Sequence, residues 1–180
     1  MAAPQGRGRN AAAGGLCDQL NRLLNRTVTR ARVVATRSGQ QVNLELREGG
    51  QPGAVVRTRH GRLILCLQQR ITASDSARSR VVVDTVRYRY SLAVDRDVDA
   101  LLRWDGHHGP RPTEHPYCTH HLQGTLAVEL PRAAARLNDF HVPTGHVLIQ
   151  DILRFLVADL GVRPLHQDWD RVLNESASAS

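Results

Sequence analysis

Five of the nine histidines fall within fifteen residues: His107, His108, His115, His120 and His121. Arg103, Asp105, Glu114, Tyr117 and Cys118 share the stretch. Imidazole titrates near neutral pH, so two such rings can divide the work of general base and general acid. Neutral imidazoles beside a carboxylate can also hold Zn²⁺, Mn²⁺ or Ni²⁺. Spacing weighs against the metal. The adjacent pair His107-His108 points apart on an extended chain, and a set such as His108, His115 and Cys118 matches no standard zinc signature. Proton transfer is therefore the first expectation, with no cofactor required. A bound divalent ion is the weaker one, and a purely structural pinning of a Pro-rich loop is the third.

A cation is needed if the target carries phosphate. Arg103 precedes the histidines, and Arg87 and Arg89 alternate with Tyr88 and Tyr90 in RVVVDTVRYRYSLAV (80–94). Period two sends the arginines to one face of a strand and the tyrosines to the other. With only seven aromatic residues in the chain, the tyrosines are expected in the core. Arg87 and Arg89 are then left as phosphate or nucleic-acid contacts. His141 and His146 bracket the start of a later helix, where the macrodipole disfavours an imidazolium.

The elements that must carry these groups follow from the apolar pattern. Leu16, Leu20, Leu23 and Leu24 recur at helical spacing, so a short amphipathic helix is expected to end near Arg26. The period then becomes two over 28–36 and 41–47, over 54–59 and 62–70, and over 80–94 and 100–105, with turn residues at Ser38-Gly39 and His60-Gly61. Leu63, Leu65 and Leu67 alternate with Ile64 and Cys66, so this strand is apolar on both faces and reads as central. Residues 72–79 and 106–121 read as loops, and 122–130 as one more strand. Thr144 is the expected N-cap of a second helix that stops at Gly161. The expected fold is α+β, an antiparallel sheet of about six strands with an N-terminal and a C-terminal helix packed on it. Residues 1–14 are expected to form a flexible basic tail, 15–170 a single domain and 171–180 a disordered tail.

Charge narrows the function. The chain has 24 Arg and no Lys against 17 acidic residues, a net +7 and a pI near 10.5. Codon usage in a GC-rich genome can exchange Arg for Lys, but it does not create an excess of cations. A basic globule attracts phosphate backbones, and the planar guanidinium engages two phosphate oxygens at once. Cys17, Cys66 and Cys118 are scattered and odd in number, which argues against a disulfide framework. No apolar run approaches membrane-spanning length. A cytoplasmic protein is the expectation.

The run YRYSL (88–92), then LLRWDGHHG (101–109), a Pro-bounded gap and PYCTHH (116–121) resembles the TumE-type toxin family of bacterial toxin–antitoxin systems. The resemblance covers about residues 80–160. Its motif falls on Arg103, Asp105, His107, His108, His120 and His121. Gly106 stands where the family has Asn, Trp104 where it has Tyr or Phe, and no Lys follows His120-His121. The resemblance implies a helix-turn-helix antitoxin protein as partner. The arginine excess and the paired histidines suit RNA or a nucleotide as target. A non-catalytic module with a basic face, binding nucleic acid or a partner, is the alternative expectation, and a metal-dependent hydrolase is the weaker one. Assembly into a homo-oligomer is left open.

Overall fold

A computed structural model describes residues 5–75, 81–108, 119–130, 133–137 and 142–178. The fold is α+β, as expected. Helix α1 (Gln5–Thr27) leads into strands β1 (Arg32–Ser38), β2 (Gln41–Glu48), β3 (Gln51–Pro52), β4 (Ala54–Thr58), β5 (Gly61–Asp75), β6 (Val81–Ala93) and β7 (Leu102–His107). After these come β8 (His120–Gln123), β9 (Ala127–Leu130), β10 (Ala133–Arg136), β11 (Val142–Pro143), and helices α2 (Ile149–Ala158) and α3 (Trp169–Ser178). The main sheet runs β1-β2-β5-β6-β7-β8-β11, with β3 beside β2 and β4 beside β5, and its pairs are antiparallel. β9 and β10 pair separately as a hairpin.

The sheet is larger than the six strands expected, and both termini depart from expectation. The segment 5–14, expected as part of a flexible tail, is the first half of α1. Ala13 is buried there, and a side chain at Gly8 would meet Val81 of β6. The expected disordered tail, 171–180, is helical through Ser178. Leu173 is fully buried, and Arg154 ties α3 to α2 through Asp170 and Asn174. The second expected helix begins at Ile149 rather than after Thr144. Leu148 is its N-cap, and the Asp151 carboxylate accepts the Leu148 N–H at 2.9 Å. Residues 72–75, expected in a loop, continue β5. The single strand expected over 122–130 is two strands in two sheets. Gly124 lies between them, packed so closely that a Cβ there would run into the Leu101 carbonyl.

β5 is central, as its two-faced apolar pattern requires: Leu65, Leu67 and Ile71 are fully buried on one face and Ile64 is buried on the other. The core lies on one face of the sheet. There Leu20, Leu23 and Leu24 of α1, Ile152, Leu153 and Leu156 of α2 and Leu173 of α3 meet Leu44, Leu46, Leu65, Tyr88 and Tyr90. Trp104 packs edge-on against Phe155 of α2, with ring centroids 5.9 Å apart. On the opposite face Val34, Thr36, Gln68, Arg70 and Arg87 are exposed.

One irregularity sits beside the histidines. Arg70 pairs with Arg87, but Ile71 pairs with Thr85, so Val86 is an extra residue in β6. Such a bulge bends the strand and re-aims its side chains. The Val86 carbonyl accepts the N–H of His108 at 2.8 Å, which carries β7 past its last formal pair. No helix among the described residues is long and apolar enough to cross a membrane.

Candidate active site

The register of β6, β7 and β8 sorts the expected site residues by face. Directly opposed residues in an antiparallel ladder share a face. Tyr88, Gly106 and His120 form one row, and Tyr90, Trp104 and Leu122 the next. These point to the helix-covered side. Arg89, Asp105 and His121 form a row on the open side, flanked by Arg87 with His107 and by Ser91, Arg103 and Gln123. The His107-His108 and His120-His121 pairs are therefore both divided by the sheet. His107 is brought to the face of His121, and His108 to the face of His120.

Asp105 organises the open face. It is 6% exposed, a burial that a carboxylate tolerates only with partners. Arg89 Nε donates to one carboxylate oxygen at 2.7 Å and Arg103 Nε to the other at 2.7 Å. His121 Nε2 lies 4.0 Å from the second oxygen. Arg103 also donates to the Gln123 side-chain carbonyl. Both arginines grip Asp105 through Nε, and both reach solvent, with side chains 40% and 33% exposed. A guanidinium held by Nε still offers its terminal N–H groups to a planar anion. Arg87 is exposed, with no ion-pair or hydrogen-bond partner among the described residues. The expected cations and two of the expected histidines thus share one surface.

The helix side of the sheet holds a different cluster, at a rim where His108 and His146 are exposed. The His108 and His120 rings lie 4.9 Å apart, His108 and His146 4.9 Å, and His120 and His146 5.4 Å. The Tyr88 ring stacks on His120 at 5.7 Å and on Tyr90 at 4.9 Å. Its hydroxyl accepts the Val147 N–H at 3.1 Å and lies 3.1 Å from His120 Nδ1. Burial, and then the neighbouring imidazoles, push the His108 and His120 pKa values down. Burial pushes the Tyr88 phenol up. Both tyrosines are core residues, as the shortage of aromatics predicts.

Gly106, where the TumE-type motif has Asn, has a spatial cause. A Cβ at this position would run into the Tyr88 ring and stand 2.7 Å from His120 Nδ1. His146 joins the cluster from outside the stretch that the histidine count singles out. Its sequence signal is only a lone His two residues before a helix N-cap. His115, Cys118, Glu114, Tyr117 and His141 lie outside the described residues. Among the described residues, no three His, Cys, Asp or Glu side chains are arranged to hold a metal ion. No family model matches the chain, and neither a curated protein nor a solved structure matches it.

Proposed function

We propose that the protein is a toxin-like enzyme directed at RNA or a nucleotide, working from the open face of the sheet. One observation carries the reading: the buried Asp105 carboxylate holds Arg89 and Arg103 at 2.7 Å each with His121 beside it. A buried carboxylate that fixes two guanidiniums at a solvent face preorganises positive charge for an anion. His107, opposite Arg87 in the register, stands on the same face.

Metal-independent cleavage of RNA follows from these parts. His107 takes the 2′-hydroxyl proton as the 2′-oxygen bonds to phosphorus. His121, beside the Asp105 carboxylate, gives a proton to the departing 5′-oxygen as the P–O5′ bond breaks. The products are a 2′,3′-cyclic phosphate and a free 5′-hydroxyl. Arg89, Arg103 and Arg87 stabilise the charge that builds on the phosphoryl oxygens. Asp105 orients the arginines and His121 and exchanges no proton. The helix-turn-helix antitoxin implied by the family resemblance would be the partner that restrains this activity.

Incubation of purified protein with a labelled RNA tests the reading. Wild-type protein yields 2′,3′-cyclic phosphate ends, and His121→Ala loses about 10²-fold or more in rate with its thermal melt unchanged. Binding without cleavage in both proteins would replace the enzyme with a non-catalytic nucleic-acid-binding module.

A further inference from the structure

The row beside Asp105 continues much further across the sheet. Asn43 of β2 pairs with Arg70 of β5, Arg70 with Arg87 of β6, and Arg87 with His107 of β7. All four side chains lie on the open face. At a strand spacing of about 4.8 Å, Arg70 stands about 10 Å from His107. Arg70 Nε donates to Asn43 Oδ1 at 3.1 Å, so the guanidinium is aimed along the row rather than free to sweep. Thr36, Asn43, Gln68, Arg70, Arg87 and Arg89 together line a depression of about 350 Å³. One carboxylate, Glu45, also lines it. That charge is engaged by Arg47 at 2.6 Å and by the Gln68 amide at 3.3 Å.

The chemistry of this row is selective in what it offers. It presents cations and amides, the groups that contact phosphate and sugar. Single-stranded RNA is recognised mainly by stacking its bases on aromatic rings. Among the described residues the open face carries no Tyr, Trp or Phe side chain, because Tyr88, Tyr90 and Trp104 all point to the helices, and the rings it does carry, His107 and His121, stand at the reacting end of the row. A ligand on this face is gripped by its backbone.

We propose that Asn43, Arg70 and Arg87 form a track for the phosphodiester backbone of a nucleic acid, leading across the strands to His107 without reading the bases. This rests on the nucleic-acid reading of the preceding subsection and adds a binding site outside the Asp105 cluster. Two consecutive phosphates of one strand fit between Arg70 and His107. One phosphate sits on Arg70, and the next, which Arg87 also reaches, is the one on which the imidazoles act. Binding through Arg70 is remote from the reacting bond, so it holds ground state and transition state alike.

The full-length protein is titrated with three RNAs of equal length, a hairpin duplex, poly(A) and poly(U), at several salt concentrations. Wild-type protein is expected to bind all three with a steep salt dependence. Arg70→Gln should weaken each several-fold, by a similar factor, and reduce the salt slope by about one. In the cleavage assay it should raise KM and leave kcat in place. Arg163→Gln removes the same charge from the exposed segment between α2 and α3 and should leave the slope as it was. A wild-type slope in Arg70→Gln, or a loss confined to one RNA, would overturn the track while leaving the nucleic-acid reading intact. If wild-type protein binds none of the three, both fall together.

Discussion

The two faces of β6, β7 and β8 make opposite uses of neighbouring residues. On the open face, His107 and His121 stand among arginines and a buried carboxylate. On the covered face, His108 and His120 stand against Tyr88 and His146. One step along the chain changes an imidazole from a partner of charges to a partner of rings. A cation-lined surface suits a reacting phosphate, whereas a ring cluster is sensitive to any added proton. Doubled histidines in a strand are therefore half of two sites rather than the whole of one.

Exchanging roles between the faces is the largest test. His107→Ala and His121→Ala should each lose about 10²-fold or more in cleavage rate, while His108→Gln and His120→Gln keep rates within a few-fold of wild type. Single-turnover kinetics on one RNA would show it, and equal losses on both faces would end the distinction. Asp105→Ala comes next. It removes the shared partner of Arg89 and Arg103, and urea unfolding should register a loss on the order of 2 kcal/mol. That is less than the 3–5 kcal/mol of breaking a fully buried pair, because both guanidiniums reach solvent. Gly106→Ala should cost about 1–3 kcal/mol by overpacking, since the new methyl must displace the Tyr88 ring. Retained wild-type stability would mean that the ring yields freely.

The smallest effect is on pH dependence. His108 and His120 have pKa values below the ordinary 6.5 in the folded protein. Above that value both are neutral in folded and unfolded chains, and their contribution to stability is fully present. As pH falls below it, the unfolded chain takes up protons that the cluster resists, and stability is lost through the folded pKa values. A melting series from pH 7.5 to 5 should decline. His146→Ala, which removes a charge partner of both rings, should make the decline shallower. A melting temperature that rises on acidification would contradict the covered-face cluster.

Much of the scaffold was legible in the residues. Alternation in YRYSL puts Tyr88 and Tyr90 inward, the doubled apolar pattern of β5 makes it central, and period 3.6 after Leu148 makes α2. The termini were not legible. The N-terminal half of α1 is mostly Ala, Gly and Arg, with no apolar stripe to mark a helix, and the burial of Ala13 there is a tertiary contact. Alternation also separates His107 from His108, but choosing which of them joins His120 requires the β7–β8 register, and no local pattern encodes that. His146 enters from a segment more than twenty residues beyond His121, through tertiary packing alone.

The bulge at Val86 can be read as a change of parity. Counting along β6, Val83 packs against the core before it, and Tyr88, Tyr90 and Leu92 are buried after it. Inward positions are odd on one side and even on the other. Two messages that could not share one unbroken alternation are joined in a single strand, with the extra residue absorbing the mismatch. Deleting Val86 would leave the composition almost untouched. It would force a choice between Val83 turned to solvent and Arg87 and Arg89 driven among the leucines.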